Sequence, residues 1–177
     1  RQHILASSSA DCTIKLWDIA ASIDAASSSG VCVQTYTHHT DKVQSIAWNP
    51  TEPALLLSGG FDKRACIVDV RAAPTVEAAS WALSGDTEVA RWNPHAPQFF
   101  FIATDNGAVS CFDARQAGSG ALYSWNAHPK DTTVLEFNPL VPHMLLTAST
   151  DKTLKLWDVA EANSTEQPSC VFTHDSL

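Results

Sequence analysis

Asp151-Lys-Thr-Leu-Lys-Leu-Trp-Asp158 recurs near the other end of the chain as Asp11-Cys-Thr-Ile-Lys-Leu-Trp-Asp18. Two weaker copies lie between them. Asp62-Lys-Arg-Ala-Cys-Ile-Val-Asp69 places Val68 where tryptophan stands in the outer pair, and Asn106-Gly-Ala-Val-Ser-Cys-Phe-Asp113 places Asn106 for the first aspartate and Phe112 for tryptophan. The closing aspartates at 18, 69, 113 and 158 are 51, 44 and 45 residues apart. A second mark recurs out of phase with the first. Trp48-Asn-Pro50, Trp92-Asn-Pro94 and Phe137-Asn-Pro139 each end one apolar run and precede another. Two independent marks at one period identify a repeat.

The repeat unit reads as four short strands. Apolar runs of four to six residues, rich in β-branched and aromatic types, alternate with turn residues. Asn-Pro punctuates one turn, because proline gives no ladder donor and pushes its predecessor to an extended form. Asp-Lys or Asn-Gly punctuates the next. Four strands in about 45 residues make a propeller blade. The fold class is therefore all-β: an arc of four-stranded antiparallel blades over residues 1–177.

Strands are lettered a to d outward from the central channel. The first blade, roughly 1–37, is incomplete, with b at Ile4–Ser8, c at Thr13–Asp18 and d at Val31–Thr37. The others span roughly 43–83, 89–125 and 133–172. Thr173-His174-Asp175 reads as the lead-in to a fifth. The Ala/Ser-rich stretch from Ala20 to Gly30 reads as a flexible surface loop. A blade buries its faces only against neighbours. The arc, which starts at Arg1 without methionine, is accordingly expected to be part of something longer.

Composition narrows function. The chain has 177 residues, 45% of them apolar and 17% charged, with a net charge of −8. That suits a folded domain with a large core rather than a disordered chain, and it excludes a global cationic surface for wrapping nucleic acid. No apolar run approaches the ~20 residues that span a bilayer. Thirteen aspartates against six glutamates fit a turn-rich protein. Five cysteines, Cys12, Cys32, Cys66, Cys111 and Cys170, are scattered without a CxxC pair and read as reduced, buried thiols of an intracellular protein. No nucleophile elbow, phosphate-cradling loop or HExxH stretch appears, so no catalytic residue, metal or cofactor is expected. His38 and His39 beside Asp41 read as structural rather than as a metal or acid–base site, with a surface role open for His38, and Trp48 and Trp92 read as packing between blades. Trp81 and Trp125 lie on outer strands, where packing competes with a role as partner anchors.

These residues resemble the WD-repeat family of β-propellers along essentially the whole chain. The resemblance implies that each blade is pinned by a chain of four side chains: a histidine before strand a, a serine or threonine on b, an aspartate in the b–c turn and the tryptophan of c. The fourth blade supplies His128, Thr147, Asp151 and Trp157. The second supplies His39, Ser58 and Asp62 but has Val68. The first supplies Ser7, Asp11 and Trp17. In the third, Ile102, Asn106 and Phe112 leave the chain essentially missing.

A narrower resemblance rests on His38-His-Thr-Asp-Lys-Val-Gln44, Leu55-Leu-Leu-Ser-Gly59, Asn138-Pro-Leu-Val-Pro142 and Pro168-Ser-Cys-Val171. It points to a family of nucleolar assembly factors for the large ribosomal subunit, built on a ring of about seven blades. It implies a non-catalytic scaffold in the nucleolus or nucleus. Its partners would be other ribosome-assembly proteins, with possible contact to pre-rRNA, and neither a membrane nor a small-molecule substrate. The alternative reading is a chromatin-associated propeller that binds histone tails, which for a methylated lysine needs an aromatic cage. The d–a and b–c turns share one face, so candidate partner or RNA contacts are Lys42, Lys63, Arg64, Lys130 and Lys152. All are expected to project from turns rather than from packed strands.

Overall fold

The computed structural model describes residues 3–20, 31–76, 78–163 and 165–175. The Ala20–Gly30 stretch, from residue 21 on, lies outside them. Fifteen strands occur among the described residues. β1 (Ile4–Ser8), β2 (Ile14–Asp18) and β3 (Val31–Tyr36) form a three-stranded antiparallel sheet. Three four-stranded antiparallel sheets follow in chain order: β4 (Val43–Trp48) to β7 (Ala79–Ala82), β8 (Thr87–Trp92) to β11 (Tyr123–Asn126), and β12 (Thr132–Phe137) to β15 (Ser169–Asp175). Their second and third strands are β5 (Leu55–Gly60) and β6 (Arg64–Asp69), β9 (Phe99–Thr104) and β10 (Ala108–Asp113), and β13 (Met144–Ser149) and β14 (Thr153–Asp158). Within each sheet the strands pair in chain order. Thr173–Asp175 extend β15 and pair with Thr153–Lys155 of β14.

Strand chemistry follows position. β5 and β9, second in their sheets, are buried on both faces because a neighbouring sheet covers each side, so they read as continuous apolar runs. The first strands each carry one bulge at an equivalent place, between Val43 and Ser45, Thr87 and Val89, and Thr132 and Val134. A bulge adds local twist, which suits a strand lining a channel. Adjacent sheets are tied as well as packed. Trp92 Nε1 donates to the Ala47 carbonyl at 3.0 Å, Ala90 N–H to Ser45 Oγ at 3.0 Å, and Asn49 Nδ2 to the Pro97 carbonyl at 2.9 Å. Arg91 pairs with Glu136 at 2.9 Å across the next seam.

The recurring Asp and Asn residues all do the same work. The closing aspartates accept the N–H two residues on, at 2.9 Å in every case: Ala20 on Asp18, Arg71 on Asp69, Arg115 on Asp113 and Ala160 on Asp158. In the b–c turns Asp11, Asp62, Asn106 and Asp151 accept from Thr13, Arg64, Ala108 and Thr153 at 2.8 to 3.2 Å. Asn49, Asn93 and Asn138 of the Asn-Pro turns accept from Thr51, His95 and Leu140. This is the Asx turn, in which a short acceptor side chain stands in for a backbone carbonyl.

Two b–c turns are also tethered to a histidine. In the fourth sheet Trp157 Nε1 donates to Thr147 Oγ1 at 2.8 Å, Thr147 lies 2.8 Å from His128 Nε2, and His128 Nδ1 lies 3.0 Å from Asp151. A neutral ring with its proton on Nδ1 satisfies every link. Burial holds His128 below its ordinary 6.5, with the Lys155 ammonium adding to the effect, against the opposing pull of Asp151. Burial pushes Asp151 up, but the bonds from Thr153 and His128 outweigh it and leave the carboxyl below its ordinary 3.8. In the second sheet His39 reaches Asp62 at 3.0 Å and Ser58 at 2.9 Å, and the chain stops at Val68. In the first, Trp17 Nε1 donates to Ser7 Oγ at 2.9 Å. The third replaces the tether with a turn-local set: Thr104 Oγ1 donates to Asn106 Oδ1 at 2.7 Å and Asp86 N–H to Asp105 Oδ1 at 2.9 Å. There Phe112 stacks on Phe100 at 5.1 Å, and Trp81 and Trp92 meet Phe100 edge-on.

Two predictions test these turns. Gly107 has φ +82°, and a Cβ there would strike the His128 carbonyl. Gly107→Ala should cost about 2–3 kcal/mol through overpacking and left-handed strain. Lys63, at φ 57° in the equivalent turn, should accept Lys63→Gly with no loss; denaturant midpoints of the full-length protein report both. For His128 the folded pKa is depressed, so the unfolded chain takes up the proton first as pH falls. Its contribution is complete above the unfolded value of 6.5 and declines below it. Between about pH 7.5 and 5 the urea midpoint of the parent should therefore fall more steeply than that of His128→Gln.

Candidate functional site

The d–a and b–c turns form one face because the backbone ties them pairwise. Phe61 N–H donates to the Lys42 carbonyl at 2.9 Å, Asp105 to Asp86 at 3.0 Å and Thr150 to Asp131 at 3.1 Å. Candidate contacts on this rim are not equivalent. Lys63, Lys130 and Lys152 are exposed on turns. Lys63 and Lys152 occupy left-handed positions, at φ 57° and 72°, which Cys12 and Gly107 fill in the other two sheets. Lys42 is exposed, with its ammonium 5.1 Å from the centre of the Phe61 ring. Arg64 departs from expectation. It opens β6 rather than lying in the turn, is half-buried, and donates from Nη2 to Ser80 Oγ at 2.9 Å. The Asp62 turn ends one residue earlier than its charge pattern suggests, which makes Arg64 a strand residue.

The third sheet gives the rim an acidic sector. Glu88 is pushed above its ordinary value first by burial and then by Asp131, with Asp105 and Asp86 adding to the effect and the Gln44 bond opposing it. Gln44 Nε2 reaches Glu88 at 3.4 Å. Lysines in the second and fourth sheets thus flank carboxylates in the third. The opposite face carries the Asn-Pro turns and two chelate-like pairs, Asp69–Arg71 and Asp113–Arg115, each 2.6 Å at the shortest contact. Hydrogen bonds from Arg115 hold the Asp113 carboxyl below its usual range, although burial opposes them.

Other expected residues sort by burial. Trp81 and Trp125 are 1% and 3% exposed, so packing accounts for both and neither is a surface anchor. His39 is buried and His38 half-buried. The thiols differ from expectation. Cys66 and Cys111 are buried, and burial pushes them up to about 11 and about 12. Cys32 and Cys170 are exposed, as is most of the outer strand that carries each, β3 and β15. Cys12 is half-buried at its turn. No group of three or more His, Cys, Asp or Glu that could hold a metal occurs among the described residues. No helix among them is long and apolar enough to cross a membrane.

Comparison with known proteins agrees with this geometry. The WD domain, G-beta repeat family matches residues 1–18, 30–69 and 120–158. Strands a to c of the third sheet, where the histidine tether is missing, fall in the unmatched gap. The chain is 32% identical over 159 residues to the periodic tryptophan protein 1 homolog of Drosophila melanogaster, covering 89% of this chain and 33% of that protein. It is 30% identical over 179 residues to periodic tryptophan protein 1 of Saccharomyces cerevisiae, covering 98% of this chain and 30% of that one. It is also 28% identical over 153 residues to a DNA damage-binding protein of Coccidioides immitis, covering 81% and 29%. The chain spans about a third of the length of these relatives. Repeats in the sequence, antiparallel four-stranded sheets and the family match converge: the chain belongs to the WD-repeat family and resembles periodic tryptophan protein 1.

Proposed function

We propose that this chain is part of a non-catalytic scaffold for assembly of the large ribosomal subunit, working in the nucleolus or nucleus and docking other assembly proteins. The observation that carries the reading is similarity to periodic tryptophan protein 1 from two organisms along nearly the whole chain. The fold supports it physically. Turns held by Asx bonds and histidine tethers present side chains in fixed places, so a partner meets little ordering cost on binding. Further blades would complete the ring. Leu5, Val31 and Val33 of the first sheet and Val134, Val171 and Phe172 of the last are exposed, whereas the inner sheets bury side chains of that kind.

The rim supports direct contact with pre-rRNA through Lys63, Lys130 and Lys152. Three lysines near an acidic sector make a local contact, not a phosphate track. The relative named for binding damaged DNA favours a chromatin role as the second reading. Against a methyl-lysine cage, Phe61, the aromatic nearest the rim, is already covered by Lys42.

Charge reversal of Lys63, Lys130 and Lys152 to Glu tests the rim. Exposed charges on turns add little to stability, so the thermal midpoint should stay within about a degree or two. Co-sedimentation of the full-length protein with pre-ribosomal particles should drop several-fold, and the parent should be more salt-sensitive than the variant. Unchanged co-sedimentation removes this rim as the contact. Recovery mainly of nucleosomes after RNase treatment would favour the chromatin reading.

A further inference from the structure

An asparagine closes the seam between the second and third sheets at its Asn-Pro end. Asn49 is 6% exposed and donates from Nδ2 to the Pro97 carbonyl at 2.9 Å. Asn93 and Pro142 hold the same two places at the next seam, between the third and fourth sheets, because Asn93-Pro94 repeats Asn49-Pro50 and Asn138-to-Pro142 repeats Asn93-to-Pro97. Asn93 is 9% exposed, and its Oδ1 accepts from the His95 and Ala96 N–H groups as Asn49 Oδ1 accepts from those of Thr51 and Glu52. The cross-seam bond is not repeated. Among the described residues neither Asn93 Nδ2 nor the Pro142 carbonyl has a hydrogen-bond partner, and the seam is crossed instead by His95, whose Nε2 donates to the Asn138 carbonyl at 2.8 Å.

A cavity of about 590 Å³ lies at this place, and both members of the pair that fails to meet, Asn93 and Pro142, line it. Its apolar walls include Phe99, Phe101 and Leu122 from the third repeat and Val159 from the fourth. The related cavity of the preceding seam, around Leu55, Ile67, Ala79 and Ala114, is about 320 Å³ and reaches neither Asn49 nor Pro97. A single bridging water needs only about 30 Å³. The larger cavity falls in the range of ligand-binding clefts, roughly 300–1,000 Å³. Among the described residues none of those lining it is Asp, Glu, Lys or Arg, so a charged ligand would meet no opposite charge there. An amide N–H on a side chain buried to this degree, with no acceptor, is a costly state that native structures rarely keep.

We propose that this cavity binds a small neutral ligand made of an aromatic or aliphatic ring that carries an amide group. The amide carbonyl accepts from Asn93 Nδ2, the amide N–H donates to the Pro142 carbonyl, and the ring packs against Phe99, Phe101 and Leu122. The preceding seam gives the reason for this class. There the donor and the acceptor satisfy each other directly. A molecule placed between such a pair must offer an acceptor to the one and a donor to the other, and an uncharged amide does both. The apolar walls select the ring, and the lack of a charged lining residue disfavours an acid or an amine.

The site lies at the Asn-Pro end of the seam and not on the lysine rim, so it stands or falls separately from the ribosome-assembly reading. The probes are benzamide, methyl benzoate and benzoate, titrated into the full-length protein with isotope-labelled asparagine side chains. The readout is NMR, the Asn93 amide resonance being identified by its loss in Asn93→Asp. Benzamide should shift that resonance and bind at least about tenfold more tightly than benzoate, which brings a charge. It should bind several-fold more tightly than methyl benzoate, which has the acceptor but no donor. Asn93→Asp keeps an oxygen for the His95 and Ala96 N–H groups, removes the donor and adds a charge that repels the ligand carbonyl. Benzamide, followed through its own resonances, should therefore bind at least about tenfold more weakly to this variant. If Asn93→Asp fails to fold, Ala162→Leu, which narrows the cavity and leaves Asn93 in place, should weaken benzamide by a similar factor. No shift of the Asn93 resonance with benzamide, equal affinity for the three probes, or undiminished benzamide binding in the folded variant would overturn the proposal.

Discussion

A carboxylate or amide oxygen accepting the N–H two residues further on is the interaction on which the fold depends. It occurs at the b–c turn and after strand c in all four sheets, and at the Asn-Pro turn in the three that have one. A short turn must leave some backbone N–H without a ladder partner, and an Asp or Asn at its first position supplies the missing acceptor. Once the turn is set, the strand register is set too, because a slip by one residue would turn every side chain to the wrong face. The histidine tethers are a second layer. They act on turns already formed, joining each to the loop before strand a, and so fix where rim side chains stand.

The third sheet shows that the second layer can be exchanged for packing. It has Ile102 where the others have serine or threonine, and Phe112 where two have tryptophan. Losing the polar chain would strand a histidine and a hydroxyl if only some members were removed. Here all are changed together, and Phe100, Phe112, Trp81 and Trp92 form an aromatic cluster with stacked and edge-on contacts. Such pairs contribute roughly 0.5–1.5 kcal/mol each beyond area burial, comparable with the net worth of one buried hydrogen bond. The turn keeps its Asx bond through Asn106, so the first layer survives where the second does not.

Most of the fold was legible because its determinants are local. Strand position and turn identity follow from residues at fixed offsets within one repeat, and the partners of His39 and His128 are those that the resemblance to the family implies. What was not legible depends on register between strands or on a neighbouring sheet. Arg64 looks like a turn charge by spacing, but the turn closes one residue before it and Ser80 on the next strand takes its guanidinium. Cys32 and Cys170 look like core thiols by composition, but they lie on the outer strands of the two end sheets, which are exposed along nearly their whole length. The Asn93 amide that misses Pro142 has no sequence signal. Asn49 is the same residue type at the same place in its repeat and differs in finding the Pro97 carbonyl across the seam.

Strain at the rim bears on function. The residue after the turn aspartate is left-handed in all four sheets, a conformation that disfavours side chains by roughly 1–2 kcal/mol and leaves glycine at ease. The third sheet has glycine there, and its Asp86, Glu88 and Asp105 carboxylates share the rim with Asp131 of the turn that opens the fourth. The second and fourth have lysine at that position and are strained at Lys63 and Lys152. Glycine would serve the backbone better, so the backbone does not explain the lysines. What lysine adds is a positive charge at the outermost point of a rigid turn, on both sides of the acidic sector. An alternation of sign held by strained residues on fixed turns is a surface suited to recognising a partner in one orientation, because a mismatched arrangement would bring like charges together.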